Sequence, residues 1–236
     1  MVSAKEFPWS PGSNSNRTAN EEGLLALAAA IDLNEGRSSR RDSGPSDDGV
    51  EGNARLTASI AAVIFVLLAV EGLTIVRIGN LLDVHVFIGV LLIAPVLVKV
   101  ATTSWRFAKY YSGERQYRLK GPPALVLRLL GPLVVVLTLV VLFSGVGLVL
   151  LPASFRQQLF FVHRASFILW LGVMTIHVLG HLGETIRLAP RDWLLRTRRQ
   201  VAGATSRQWV LVSSMAVGLV TALALTPYAY GWFGQF

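Results

Sequence analysis

Residues 56–103 read LTASIAAVIFVLLAVEGLTIVRIGNLLDVHVFIGVLLIAPVLVKVATT and contain two apolar runs, 56–76 and 81–103. Each run has the roughly 20 residues that a helix needs to cross a hydrocarbon layer about 30 Å thick. Three more such runs follow along the chain. The sequence therefore predicts an all-α integral membrane protein with five transmembrane helices, and we expect the first four to form a four-helix bundle: 56–76, 81–103, 124–151, 159–182 and 209–228.

The composition also favours a membrane protein. Of the 236 residues, 53% are hydrophobic and 15% are charged, whereas soluble domains contain roughly 25% charged residues. Residues 1–54 carry nine acids and five bases, and the remaining residues carry 17 bases and five acids. The basic excess thus lies in the apolar part, which favours membrane flanks over nucleic-acid binding. The absence of cysteine excludes thiolate zinc sites, iron–sulfur clusters, covalent haem attachment and disulfides.

Residues 1–54 are rich in Ser, Asn, Gly, Pro and Asp. Such a composition buries too little apolar surface to offset the entropy of ordering. We interpret this segment as a disordered, acidic cytoplasmic tail. A capping-box pattern at 18–21, followed by spaced apolar residues, predicts a short helix around 19–33 within it. This helix either remains marginal within the tail or docks on a partner or on the membrane.

The charges of the connections predict the orientation. The connections after the second and fourth runs contain five and six bases, against one and two acids. The connections after the first and third runs carry almost no charge, with Arg77 and Asp83 in one and Arg156 in the other. Since basic connections stay in the cytoplasm, we predict a multi-pass protein of the cell membrane with the N-terminus inside. The C-terminus then lies outside, and 230–236 form a short outer tail.

All four histidines, His85, His163, His177 and His181, lie in the second and fourth runs. Histidine within a membrane is costly and indicates function. The two runs point the same way, and His85 lies about as deep in its run as His163 does in the other. We therefore expect these two imidazoles to meet near the outer face. Two facing imidazoles in a four-helix bundle provide the axial ligands of a b-type haem without any covalent link.

The inner half of the bundle leaves alternatives open. His177 lies 14 residues after His163, on nearly the same helix face about 21 Å deeper, and His181 lies one turn further. At the matching position of the second run stands Lys99. A second haem would then have His177 or His181 opposite Lys99, or would be five-coordinate. Otherwise it is absent and Lys99 extends to the cytoplasmic interface. His177, His181 and Glu184 also share a helix face that offers ligands to a metal ion.

Other residues near the outer face are candidates for roles beside the histidine pair. Arg164 and Arg77 lie at the level of haem propionates, although Arg77 equally suits an interfacial anchor. Gly89 follows His85 by one turn and allows close approach of a macrocycle edge or of a neighbouring helix. Glu71 is expected to pair with Arg77 or to lie exposed to water, and the other alternative is that it accepts a proton from a quinol.

The segments VHVFIG (84–89) and HRASF (163–167), with His177 further along, resemble the membrane cytochrome b subunits of the cytochrome b N-terminal and hydrogenase/formate dehydrogenase types. The chain looks like a small actinobacterial relative of that superfamily over about residues 56–184. The resemblance implies that His85 and His163 form one axial pair and that His177 is half of a second, while Lys99 departs from the pattern. It also implies electron transfer within the membrane, to or from quinone or a partner redox protein.

The leading hypothesis is a membrane subunit that carries electrons through one haem b, with a second haem left open. It has no flavin, nucleotide or iron–sulfur signature, so we expect no substrate chemistry of its own. One alternative is a non-redox membrane scaffold or assembly protein whose histidines only pack. Another is a small-solute or metal transporter that uses the histidine face, for which paired Gly/Pro interruptions of the helices are expected.

Overall fold

The computed structural model describes residues 45–119 and 125–232, with side chains for 49–119 and 125–229. The predicted helix around 19–33 and most of the predicted tail lie outside these residues. Over the described ranges the chain is all-helical, with no β-strand. Its α-helices are α1 (Pro45–Val76), α2 (Ile78–Tyr111), α3 (Arg115–Leu119), α4 (Leu125–Leu150), α5 (Arg156–Leu188), α6 (Leu195–Arg198) and α7 (Ala204–Leu225).

Three short 3-10 helices lie near the ends of the long ones. They cover Ala153–Phe155, Ala189–Asp192 and Thr226–Trp232. α1 and α2 are separated by Arg77 alone, and Leu81 has non-helical dihedral angles (φ −123°, ψ 23°), so the chain bends there. The predicted outer tail from residue 230 thus begins within a 3-10 helix, and its last residues lie outside the described ranges.

Five of the helices are long and apolar enough to cross a membrane, in agreement with the five predicted runs. In the most apolar window of each helix only 6–28% of the residues are buried inside the protein. Many large apolar side chains therefore lie on the outer surface of the helices. This distribution suits helices whose outer faces contact lipid, because lipid tails solvate such side chains as well as a protein core does.

The start of α1 differs from the prediction. We predicted a disordered tail through residue 54, but α1 begins at Pro45. The early turns are held by contacts to the far end of α5. Arg55 is 2% exposed, with its Nε 3.2 Å from Glu51 Oε1 and its Nη1 3.4 Å from Asp192 Oδ1. This ion-pair network between distant parts of the chain extends the helix beyond the apolar run.

α1 and α2 form an antiparallel hairpin. At one end the Asn53 side chain donates a hydrogen bond to the Thr102 carbonyl, at 3.2 Å. At the other end Thr74 Oγ1 lies 3.0 Å from His85 Nδ1. Between these points Ile60 belongs to one buried apolar cluster with residues of α2 and α7. The register of the hairpin therefore brings the last turns of α1 beside the first turns of α2.

α4 and α5 form a second antiparallel hairpin. Trp170 Nε1 donates to Thr138 Oγ1 at 2.9 Å in its middle. Further along, Leu127 packs against Gly180, where an added Cβ would meet the leucine side chain. Gly180 thus contributes to the packing between these two helices. α1, α2, α4 and α5 together surround a cavity of about 230 Å³.

α7 packs beside this set of four, against α2. Gly218 of α7 lies so close to the Leu91 carbonyl of α2 that a Cβ there would collide with the backbone. Ala222 is fully buried in a cluster with Val90 and Leu91. Small residues on α7 thus allow two helix backbones to approach closely, as is common in membrane proteins.

Candidate functional site

The imidazoles of His85 and His163 lie side by side between α2 and α5. Each histidine lies seven residues after the first residue of its helix. Their ring centroids are 6.3 Å apart, and their planes are nearly perpendicular, at 84°. The structure therefore brings together the two histidines that sequence analysis matched by depth.

His85 is held by two partners from the end of α1. Its Nδ1 lies 3.0 Å from Thr74 Oγ1 and 3.0 Å from Glu71 Oε1. The Thr74 hydroxyl donates its one hydrogen to the Glu71 carbonyl oxygen at 2.6 Å, so its oxygen is left to accept from His85. A carboxylate also accepts. Nδ1 of His85 is therefore the protonated nitrogen, and the lone pair lies on Nε2.

His163 is held in the same way by α4. Its Nδ1 lies 3.0 Å from the Val141 carbonyl oxygen and 3.2 Å from Ser144 Oγ. Since a carbonyl oxygen only accepts, the hydrogen is on Nδ1 and the Nε2 lone pair is available. Gly145 lets the ring lie against α4, because a Cβ there would be 3.2 Å from His163 Cε1. Both histidines thus have one fixed nitrogen and one available nitrogen.

The chemistry of this donor set fits a b-type haem. Imidazole nitrogens bind metal ions at about 2.0–2.1 Å, which places the centres of two rings on one ion about 6 Å apart. The separation of the His85 and His163 centroids is 6.3 Å. Metal-bound histidines almost always donate their second nitrogen to a carboxylate, a carbonyl or water, as both do here. His85 and His163 are the residues that would hold the iron.

Glu71 has a different partner from the predicted Arg77, while proton acceptance from a quinol stays a prediction. Glu71 pairs with His85 rather than with Arg77, because the hairpin register places the last turns of α1 beside His85. Its Oε2 is buried without a hydrogen-bond partner. Gly89 leaves room for this carboxylate, since a Cβ there would lie 3.3 Å from Glu71 Oε1. The close approach that Gly89 allows is therefore to a side chain of α1.

The two arginines predicted to pair with propionates lie at the surface. Arg77 is exposed between α1 and α2, where its backbone hydrogen-bonds to Thr74, Asn80 and Leu81, and its guanidinium forms no hydrogen bond or ion pair with the described residues. Arg164 is exposed on α5, and its guanidinium lies over the Phe160 ring at 5.4 Å from the centroid. Neither is brought into contact with the histidine pair, and their pairing with propionates stays a prediction.

Lys99, His177 and His181 line the cavity at the other end of the bundle. The rings of His177 and His181 are 4.8 Å apart between centroids. His181 Nδ1 lies 3.7 Å from Glu184 Oε2, whereas His177 Nδ1 is buried without a partner. Within the described ranges no group of three His, Asp or Glu side chains is arranged to hold a metal ion.

Lys99 lies inside the helix set rather than extending to the interface as one alternative had it. Its Nζ donates to the Thr57 carbonyl oxygen of α1 at 3.3 Å. The cavity-lining part of α2 runs from Val96 to Arg106 and contains no histidine. His177 therefore faces a cavity to which α2 contributes Lys99 and no imidazole.

Sequence analysis missed the residues that orient the histidines. Thr74, Ser144 and Gly145 were not selected, although a small polar residue or glycine within an apolar run was an available signal. The Val141 carbonyl carries no such signal, because any residue supplies a backbone oxygen. Only the pairing of the helices identifies these four positions.

Comparisons with protein-family models, curated proteins and solved structures find no match to this chain. The resemblance to cytochrome b subunits therefore remains a prediction. Function is inferred from the geometry of the two histidines and their partners.

Proposed function

We propose that this chain is a b-type haem membrane cytochrome subunit that carries electrons within the membrane. The observation that supports it is the pair His85 and His163, with ring centroids 6.3 Å apart. Both Nδ1 atoms are held by neighbours, which leaves both Nε2 atoms for iron. When bound, a b-type haem supplies one-electron transfer between ferrous and ferric iron. α1, α2, α4 and α5 are then a cytochrome b-like four-helix bundle.

Two residues of the site would bind the iron, and their neighbours orient these two ligands. His85 and His163 would hold the iron through Nε2. Glu71 and Thr74 fix the ring of His85, and α4 fixes the ring of His163 through a carbonyl and a hydroxyl. Because fixed ligands need not reorient when the iron changes charge, this arrangement favours electron transfer over substrate chemistry.

The electron donor and acceptor are proposed to be quinone or a partner redox protein. The cationic side chains of Arg77 and Arg164 suit the propionate end of the haem, because both are exposed near the histidine pair. The protein would lie in the cell membrane with its basic connections in the cytoplasm, as the charge distribution predicts. The N-terminus is then inside and the C-terminus outside.

We propose one haem per chain. A second haem of the bis-histidine kind needs an imidazole on α2 opposite His177. The cavity-lining residues of α2 include Lys99 and Arg106 but no histidine. The outer pair is therefore the site on which the proposed function rests.

Haem content of histidine variants tests this proposal. We expect His85→Ala and His163→Ala each to abolish binding of the b-type haem, because each variant leaves only one of the two imidazoles to hold the iron. His181→Ala is the matched control, since it removes an imidazole from the same helix as His163 but from the other end of the bundle. It should retain the haem. Haem retained in both His85→Ala and His163→Ala, measured as pyridine haemochrome per chain, would show that the pair is not the site.

A further inference from the structure

The cavity between the four helices is apolar along most of its wall and cationic at one end. Its walls include Ile64, Leu68 and Val135, from α1 and α4. Lys99 and Arg106 also line it, on the side where α2 approaches its end. The carboxylate of Glu184 also lines this end of the cavity, although no described carboxylate forms an ion pair with Lys99 or Arg106. Two cations thus share one cavity with a single carboxylate, and the excess positive charge within membrane-spanning helices favours an additional negative partner.

Two polar atoms in the same cavity wall also lack partners. Thr57 Oγ1 and His177 Nδ1 are both buried and have no hydrogen bond in the described part of the chain. Lys99 Nζ donates only to the Thr57 carbonyl oxygen, although an ammonium has three hydrogens. Glu184 Oε2, the nearby carboxylate oxygen, lies 3.7 Å from His181 Nδ1. Buried polar groups without partners are rare in proteins, and a ligand oxygen would satisfy these.

We propose that this cavity binds an anionic phospholipid. The phosphate would accept hydrogen bonds from Lys99 and Arg106 and from Thr57, and an acyl chain would lie along the apolar wall. Basic pockets between transmembrane helices on the cytoplasmic side recognise anionic lipid head groups. Lys99 and Arg106, which line the cavity, lie in the half of α2 that leads to a basic connection, which matches this side in the predicted orientation. The proposal is independent of the histidine pair at the opposite end.

A free phosphate shares the head-group chemistry but not the acyl chain. The apolar wall distinguishes the two sources, because only a lipid covers it. The experiment therefore compares an anionic lipid, a neutral lipid and inorganic phosphate.

Native mass spectrometry of the full chain in detergent, supplied with each of these three probes, tests the proposal. We expect phosphatidylglycerol to bind at least tenfold more tightly than phosphatidylcholine, and inorganic phosphate to compete weakly. Lys99→Met and Arg106→Gln should each weaken phosphatidylglycerol binding about tenfold. Lys109→Gln is the matched control, because Lys109 is a cation of the same helix that pairs with Glu114 at 2.7 Å, outside the cavity. It should bind like the wild type.

Three results would overturn the proposal. They are equal binding of the two lipids, full displacement by inorganic phosphate, and a second haem that is lost in Lys99→Met. Thr57→Val is a milder variant that is less prone to misfold, since it removes one hydroxyl with little change in side-chain size and none in charge. It should weaken phosphatidylglycerol binding several-fold. Size-exclusion elution of each variant reports its folding. Loss of the single outer haem in these variants is not expected, so failure here is distinguishable from failure of the proposed function.

Discussion

The two proposed ligands differ in the charge of their partners. His85 Nδ1 faces the Glu71 carboxylate and the Thr74 hydroxyl, whereas His163 Nδ1 faces a backbone carbonyl and the Ser144 hydroxyl. A carboxylate partner makes an imidazole a stronger donor to its metal than a carbonyl does. It therefore stabilises the more positive, ferric state. Glu71 is the residue through which the chain would lower the midpoint potential of its haem.

Replacing Glu71 by glutamine tests this role. Glu71→Gln keeps a hydrogen-bond acceptor near His85 but removes the negative charge. We expect unchanged haem content and a more positive midpoint potential, by tens of millivolts, where 59 mV corresponds to about tenfold in the equilibrium constant. An optical redox titration measures it. Asp83→Asn, which removes an exposed carboxylate from the same region, is the control and should not shift the potential. Equal potentials in Glu71→Gln and wild type would contradict this role.

Gly145 makes room for the ring of His163, the other proposed ligand, because it has no side chain. A Cβ at this position would lie 3.2 Å from His163 Cε1, which is closer than ordinary van der Waals contact. We expect Gly145→Ala to displace the ring and to lower haem occupancy severalfold. Gly131→Ala on the same helix has open space around it and should keep full occupancy. Equal occupancy in the two variants, by absorbance per chain, would argue against this packing.

At the scale of elements, Asp192 joins three helices. Its carboxylate accepts from Arg207 at 2.5 and 2.8 Å and from Arg55 at 3.4 Å, and the residue is 2% exposed. Arg55 belongs to α1, Arg207 to α7, and Asp192 to the turn after α5. The end of α5 and the start of α7 are thus both connected to α1 through the buried carboxylate of Asp192.

Removing this charge should loosen the connection. Asp192→Asn leaves the largely buried guanidinium of Arg207 without its anion and that of Arg55 with Glu51 alone, and breaking a buried pair on one side costs about 3–5 kcal/mol. We expect a clear loss of thermal stability in detergent. Glu114→Gln breaks an exposed pair with Lys109, whose attraction is screened by solvent, and should have little effect. A transition temperature of Asp192→Asn equal to that of Glu114→Gln would show that the network does not hold the helices together.

The elements also show which features a sequence reveals. The five spans follow from apolar length, which is a local property. The start of α1 does not, because its early turns depend on Asp192, 137 positions beyond Arg55. Likewise, the depth match of His85 and His163 is countable along the chain, while their partners Thr74 and Ser144 depend on the register between helices. That register is set by packing contacts that no local pattern contains.

At the scale of the whole molecule, basic residues gather at the end of the bundle that holds the cavity, and the histidine pair lies at the other end. The chain has no cysteine, so single cysteines can report the orientation. Ser154→Cys, before α5, should react with a membrane-impermeant maleimide in intact cells. Ser112→Cys, after α2, should react only after permeabilisation, because its connection is predicted to be cytoplasmic. The reverse labelling pattern would invert the proposed topology.

The most direct test of the account is the number of b-type haems in the wild-type protein, purified from cells with haem available. The reduced-minus-oxidised spectrum identifies the haem, and pyridine haemochrome quantifies it per chain. The pair of His85 and His163, with rings 6.3 Å apart, predicts about one haem. A folded protein without haem would contradict the account, and the histidines would then serve packing or solute binding instead.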